Sequence, residues 1–430
     1  MKVLFINTNE NYGGAARAAY RIMRGVQRVG VEVQMFVKNR GSRAEDVHTI
    51  WDYVPTNPFF KAFDWIVQKI KNQWFHYKWH PYNHTKQDVF LSDMRSMYCH
   101  GALQNLDYDI VHMHWVNQRF LDLRELTKIH KPIVWTLHDS WPFCGVCHYF
   151  RSCEKYQTHC GACPMLGSKD ERDLAYEVFE KKASIYRNLN IHIVTPSRWL
   201  GECAKSSTLF GQFSVTIIPN GLDTQLFHPY TNLEKDAILN SDDKGFQTIK
   251  SFEHNKPYIL FGAMNAAKDK LKGYLSLLAA MKILDAQGLD AHLIVFGANA
   301  EELPMRFEHI DVTFLGYIRD NVNLAALYSI ADVMVVPSFS EVFGQTASEA
   351  MACGTPVVAF RCTGIQDVVE EGCGYLAEPY STEDLANGIR YCIEHNPDNI
   401  LGKAARESAV RRYSIDVVAD QYKRLYESLV

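Results

Sequence analysis

The sequence lacks any uninterrupted apolar run of about 18 residues, which argues against a membrane-spanning helix. It lacks a basic excess: 45 lysines and arginines face 49 aspartates and glutamates, a formal net charge of −4. Proteins that wrap nucleic acid need the opposite balance, so no nucleic-acid partner is expected. There is no G-x-G-x-x-G after the first apolar run, which removes the fingerprint of a plain NAD-dependent dehydrogenase. No Asp-x-Asp is placed to hold a divalent ion at a diphosphate, so metal-independent catalysis without a catalytic cofactor is expected. The apolar run at Val3–Ile6 is too short for a signal peptide, and polar residues follow at once. A cytoplasmic chain with reduced thiols is the expectation.

What is present is 430 residues, 47% hydrophobic and 22% charged, which is a soluble globular composition with room for two cores. Short apolar runs alternate with amphipathic stretches. In the first half they read as strands at Lys2–Ile6, Val31–Val37, Ile110–His114, Ile133–Leu137 and Ile191–Thr195, with a helix over Ala15–Val26. In the second half they fall at Tyr258–Gly262, His292–Gly297, Val312–Leu315, Val333–Pro337 and Pro356–Phe360. Runs apolar on both faces, spaced by helical segments, predict doubly wound parallel α/β sheets. The turn-forming run Ile218-Pro219-Asn220-Gly221-Leu222-Asp223 marks the boundary. The expected division is 1–221, with a Cys-rich insertion at 144–163; 222–408; and a last segment, 409–430. A polar stretch, Thr231–Asn255, reads as a surface excursion. From Ala404 to Val430 the apolar residues Val410, Tyr413, Val417, Val418, Tyr422, Leu425 and Tyr426 predict a helix.

The strongest chemical signal is Pro337-Ser338-Phe339-Ser340-Glu341-Val342-Phe343-Gly344-Gln345-Thr346-Ala347-Ser348-Glu349-Ala350. A strand ends at Pro337, a loop delivers Glu341, and Phe343-Gly344 opens a helix. A helix start offers backbone N–H groups and a positive dipole end, which suits a diphosphate, and Gly344 lets phosphate approach the backbone. Glu349, one to two turns in, suits ribose hydroxyls, and Glu341 at the mouth suits sugar hydroxyls. Two glutamates separated by seven residues, with a phosphate-ready turn between them, favour function over two solvated carboxylates.

This segment resembles the E-x7-E region of the large retaining glycosyltransferase family that includes sucrose synthase-like, mannosyl- and capsule-building enzymes. Pro219-Asn220-Gly221-Leu222-Asp223 with Phe227 and Pro229, Leu315-Gly316-Tyr317 through Leu327-Tyr328-Ser329-Ile330-Ala331-Asp332, and Gly354-Thr355-Pro356-Val357-Val358-Ala359 are similar to other segments of that family. The resemblance implies a GT-B fold, two Rossmann-like domains facing across a cleft, with the last helix crossing back to the first domain. It implies retention of anomeric configuration and a nucleotide-diphosphate sugar donor. The acceptor would be a glycan or lipid-linked molecule in surface polysaccharide synthesis. By the same resemblance Glu341 takes the sugar side, Glu349 the ribose, and Gln345 and Thr346 line the phosphates, with Phe343 and Gly344 also at the donor site. Gly13 and Gly14, in the loop after the first strand, are similar to a glycine loop that lines the donor site. His138, in Trp135-Thr136-Leu137-His138-Asp139 at a strand's carboxyl end, is expected to contact the transferred sugar and not to act as a general base. Lys272-Gly273 is similar to the family's Lys-Gly pair. Ala263 stands where the family carries a phosphate-binding arginine, and either Lys268 or Lys270 supplies that charge or both are solvated loop lysines.

The nearest rivals are a sugar-nucleotide epimerase or phosphorylase on the same architecture, or a catalytically silent sugar-nucleotide-binding protein. Two features stand apart. Cys144, Cys147, Cys153, Cys160 and Cys163 crowd one segment. A structural zinc held by Cys147, Cys153, Cys160 and Cys163 is the preferred reading, and Cys144 with Cys147, Cys160 and Cys163 is the other set. Reduced, unliganded thiols are the alternative to both. Phe63, Ile66, Val67 and Ile70 fall at helical spacing. Trp65, Lys69, Lys71, Trp74, Phe75, Tyr77, Lys78 and Trp79 lie around them. That mixture reads either as a peripheral contact with the inner face of a membrane or as a core-packed helix with an aromatic loop.

Overall fold

A computed structural model of the chain describes residues 1–49, 106–118, 120–231, 256–263, 269–298, 306–318 and 320–430, with scattered positions between 52 and 103 and Glu234. Lys268, most of the stretch 232–255 and most of the aromatic–basic segment near residue 70 lie outside the described residues. Within that segment Ile66, Ile70 and Tyr77 are described and exposed. The chain divides into two compact units, Met1–Ile218 with Ala419–Val430, and Pro219–Val418.

The first unit is built on seven strands: β1 (Lys2–Asn9), β2 (Glu32–Asn39), β3 (Val47–Thr49), β4 (Ile110–Met113), β5 (Ile133–Thr136), β6 (Ile191–Thr195) and β7 (Ser214–Ile217). Their order is β3-β2-β1-β4-β5-β6-β7, and every neighbouring pair is parallel. Val3, Leu4, Phe5 and Ile6 are all buried, as a strand covered on both faces requires. The helix Gly14–Arg28 returns over the sheet and buries Ala18, Ala19, Ile22, Met23 and Val26, which recur at helical spacing.

The second unit holds β8 (Tyr258–Gly262), β9 (Ala291–Phe296), β10 (Ile310–Gly316), β11 (Val333–Val336), β12 (Val357–Phe360) and β13 (Gly374–Ala377), in the order β10-β9-β8-β11-β12-β13 and again all parallel. Alternate residues feed two cores. Leu260, Ile294 and Met334 pack with Ala347, Ala350 and Met351 on one face. Ile259, Phe261, Leu293, Val295 and Val335 pack with Leu277, Met281, Leu284, Leu385 and Ile389 on the other. Both sheets have the strand order in which successive connections diverge between two central neighbours, β1/β4 and β8/β11. Ligands of open α/β sheets gather at the carboxyl ends there.

The stretch Ala404–Val430 differs from the single helical segment that its periodicity predicts. Two helices, Ile400–Tyr413 and Ile415–Glu427, meet at Ser414, whose backbone is extended. The backbone of Leu222 accounts for the break. Its N–H donates to Tyr413 O and its carbonyl accepts from Ile415 N, both at 2.8 Å, in place of helical bonds. Beyond the break, Tyr422 and Tyr426 are fully buried in the first unit, and Lys423 Nζ donates to Val29 O at 2.9 Å.

In the second unit Arg406 gathers three backbone carbonyls, those of Phe227 at 2.7 Å, Ala352 at 2.8 Å and Thr224 at 3.0 Å. Its planar fork ties the helix Ile400–Tyr413 to the segment that enters the unit and to the end of the helix Gln345–Ala352. Arg406→Ala should lower stability by about 2 kcal/mol in urea unfolding, because the three acceptors lose a charged donor. Arg406→Lys should recover less than half, since a single ammonium cannot reproduce the fork.

Candidate active site

In the second unit, β11 ends in a loop that carries Glu341 to the start of the helix Gln345–Ala352. Gly344, the residue before that helix's first turn, has φ 92° and as a glycine brings no side chain of its own to cap it. That φ strains any L side chain, so the turn favours glycine, and a Cβ would also push on Ile365 Cδ1, 2.3 Å away. Gln345 and Thr346 are half-buried on the first turn. Glu349 is buried, and Tyr328 OH donates to its Oε2 at 3.2 Å. Lys272 Nζ donates to Glu341 Oε1 at 2.7 Å, bringing together two residues 69 positions apart. The backbone beside Lys272 is pinned: Gly273 has φ 72°, and a Cβ there would fall 1.7 Å from Pro337 O at the end of β11. Phe343, expected at the donor site, buries its ring against Tyr413, edge-on at 5.3 Å between centroids, so only its backbone faces the turn.

Two positions of this site were not read from the sequence. Thr363 Oγ1 accepts from Glu341 N at 3.1 Å, and Gly364 N donates to Glu341 O at 2.8 Å. Thr363 has a φ of 52°, uncommon for a β-branched residue, and such strain clusters at functional loops. Their sequence signal is slight: a Thr-Gly just past the strand β12.

In the first unit, Gly13 precedes the helix Gly14–Arg28 and as a glycine brings no side chain of its own to cap it. A Cβ on Gly13 or Gly14 would meet nothing within 4 Å among the described residues. His138 stands at the carboxyl end of β5, half-buried, with Nε2 at 3.0 Å from Nδ1 of His114, at the carboxyl end of β4. Behind them, His112 Nε2 meets Thr136 Oγ1 at 2.7 Å and His112 Nδ1 meets Tyr426 OH at 2.6 Å. Thr136 Oγ1 lies 2.9 Å from Tyr422 OH, so the terminal helix closes the network. Burial pushes His112 and His114 well below the usual 6.5, and pushes His138 down to about 4 against the opposing charge of Asp139.

Asp139 anchors the Cys-rich segment. Its Oδ2 accepts from Trp115 Nε1 at 2.7 Å and pairs with His148 Nδ1 at 2.5 Å, while Oδ1 accepts from Trp141 N at 2.9 Å. Burial would raise its pKa, but the His148 charge and these bonds hold it below the usual carboxylate range. Lys182, fully buried on the helix Leu174–Tyr186, donates to the carbonyls of Trp141, Cys144 and Gly145 at 2.5, 2.8 and 3.0 Å and lies 3.7 Å over the Trp141 ring. Burial pushes its pKa down to about 7. Cys144, Cys147, Cys160 and Cys163 are buried and Cys153 is half-buried. Among the described residues, no group of three or more His, Cys, Asp or Glu is arranged to hold a metal ion. Lys182 and His148 tie the segment to its surroundings.

The glycosyltransferase family 4 profile matches residues 12–226, half of the chain, and the glycosyl transferases group 1 profile matches residues 246–408. The chain belongs to this family of glycosyltransferases. It is similar to the "Putative colanic acid biosynthesis glycosyl transferase WcaC" of Escherichia coli strain K12, 25% identical over 336 residues that cover 75% of this chain and 76% of that one. Among solved structures it resembles the sucrose-phosphate synthase of Thermosynechococcus elongatus, with a TM-score of 0.65 at 23% identity over 100% of this chain and 98% of that one. It also resembles Anabaena HepE in complex with UDP-glucose, with a TM-score of 0.62 at 17% identity over 100% of both chains. The fold is GT-B, and the family acts on nucleotide sugars. No helix among the described residues is long and apolar enough to cross a membrane.

The buried histidines make stability depend on pH. Unfolded imidazoles take up protons below about 6.5, and the folded ones do not, so stability is lost as pH falls through 6.5. His112 and His114 should each contribute a loss of up to about 1.4 kcal/mol per pH unit. Urea midpoints between about pH 7.5 and 5 check this, and a flat profile contradicts it.

Proposed function

We propose that the chain is a retaining glycosyltransferase. In this reading it moves a sugar from a nucleotide-diphosphate donor to a glycan or lipid-linked acceptor in surface polysaccharide biosynthesis. The observation that carries it is the Lys272–Glu341 pair beside the helix start at Gly344, with Glu349 buried one turn further on. Lys272 and the helix end supply positive potential to the diphosphate as negative charge builds on it. Glu341 accepts hydrogen bonds from the sugar, Glu349 from the ribose, and the neutral His138 contacts the transferred sugar.

In the transfer step, the bond from the anomeric carbon to the phosphate oxygen breaks while the acceptor oxygen bonds to that carbon on the same face. The acceptor proton goes to the departing phosphate oxygen, so no second carboxylate is needed for a double displacement. The polysaccharide role draws support from the WcaC relative, whose name places it in colanic acid biosynthesis. A nucleotide-sugar donor draws support from HepE, solved with UDP-glucose. We place the protein in the cytoplasm, at the inner face of the membrane where lipid-linked acceptors lie.

Binding of UDP-, GDP-, ADP- and TDP-sugars, followed by acceptor-dependent release of the nucleotide, tests the reading. Release only when an acceptor is supplied supports a transferase, and interconversion of the donor sugar without release supports an epimerase. Glu349→Ala should weaken donor binding by about ten- to a hundredfold, the worth of hydrogen bonds to a charged group. Glu341→Ala and His138→Ala should lower turnover more than they raise KM. Wild-type transfer in all three variants would remove the site assignment.

A structural zinc at Cys147, Cys153, Cys160 and Cys163 is a separate proposal, and it requires those thiols to draw together. Roughly one equivalent of zinc or iron per chain purified without chelator supports it. Less than about a tenth of an equivalent, with the thiols titrating fully, removes it.

A further inference from the structure

His114 has a hydrogen bond on one ring nitrogen and none on the other. Its Nδ1 lies 3.0 Å from His138 Nε2, with the two rings stacked 5.3 Å apart. Its Nε2 is buried with no hydrogen-bond partner among the described residues. Its neighbouring rings offer no acceptor. Phe5, at 5.1 Å, has none, and both nitrogens of His112, at 4.2 Å, are committed to Thr136 and Tyr426.

A hydrogen bond between two neutral imidazoles needs one N–H and one lone pair, which leaves two assignments. If His138 Nε2–H donates, the His114 proton sits on Nε2, and a buried N–H has no acceptor. If His114 Nδ1–H donates, Nε2 is left as a bare lone pair. Orphaned buried donors are rarer in folded proteins than under-used acceptors, so the second assignment wins.

We propose that His114 is a positioning residue that holds His138 in the tautomer protonated on Nδ1, so that His138 offers an uncharged N–H donor to the sugar of the nucleotide donor. This rests on the reading of His138 as a sugar contact. Nδ1 of His138 has no protein partner among the described residues, and the hydrogen bond at the other nitrogen fixes which one carries the proton. A neutral donor orients a sugar oxygen without placing positive charge beside an oxocarbenium-like centre. In this tautomer Nδ1 holds no lone pair to take the acceptor proton, in keeping with its transfer to phosphate. Burial keeps all three histidines uncharged at neutral pH.

The test reads tautomer and binding separately. Long-range 1H–15N NMR of histidine-labelled protein should show His138 protonated on Nδ1 in the wild type. It should show Nε2 protonation, the preference of free histidine, in His114→Phe. The binding probe is the tightest ligand among UDP-glucose, GDP-mannose, ADP-glucose and TDP-glucose, compared with its own nucleoside diphosphate. His114→Phe should lose about tenfold of the preference for the sugar nucleotide, the worth of one hydrogen bond. His114→Asn, whose amide keeps an N–H near the Nδ1 position, should retain most of it. Nε2 protonation of His138 in the wild type overturns the proposal, as does an unchanged preference in His114→Phe. An unchanged preference in His138→Ala removes the sugar contact itself, and the wild-type tautomer then shows whether the positioning argument fails with it.

Discussion

Parallel pairing places every strand's carboxyl end along one edge of its sheet, and in both units the connections diverge between two central strands. The loops that leave those ends cannot pair with one another, so their backbone and side chains are free for ligands. In the first unit this edge receives Gly13, His114, His138 and Asp139, which follow β1, β4 and β5. In the second it receives Lys272, Glu341 and the helix start at Gly344, which follow β8 and β11, and Thr363, which follows β12. Residues far apart in sequence meet because strands adjacent in space are not adjacent in the chain. Lys272 reaches Glu341 only because β8 lies beside β11.

The two edges differ in electrostatics. The first presents a file of uncharged imidazoles, His112 and His114 buried and His138 half-buried, each bonded to a neighbour and closed at the far end by tyrosines of the terminal helix. The second presents a lysine–glutamate pair and a helix dipole, where a developing charge can be met. Long cations also serve the scaffold. Lys182 collects three carbonyls of the turn past Asp139, and Arg406 collects three around the end of the helix Gln345–Ala352. Each replaces water at acceptors that the fold has buried, and each holds a loop or helix end on which a candidate site residue depends.

Strands that form apolar runs were legible, which is why β1, β2, β4 to β6 and β8 to β12 could be read directly; most are buried on both faces, while β2 and the edge strand β10 are only partly covered. The missed strands are short or weakly apolar: β3 has three residues, β7 is an edge strand with no buried residue, and β13 begins at a glycine. The break at Ser414 was invisible because its cause, the backbone of Leu222, lies nearly two hundred positions away. The turn around Gly344 and its flanking glutamates could be found because their chemistry is local. Tyr328, Thr363, His114 and Lys182 could not, since each acts through a partner supplied by another strand or helix. That the ring of Phe343 turns into the core was not legible, because adjacency in a turn does not fix the direction of a side chain.

The claim on which the account turns is that a nucleoside diphosphate binds at the start of the helix Gln345–Ala352. Amide hydrogen exchange with and without UDP, GDP and ADP tests it most directly. The account predicts slowed exchange across 343–349 and around Lys272 with the cognate nucleotide, with protection lost in Glu349→Ala. Protection confined to other segments, with exchange at 343–349 unchanged by every nucleotide, would contradict it.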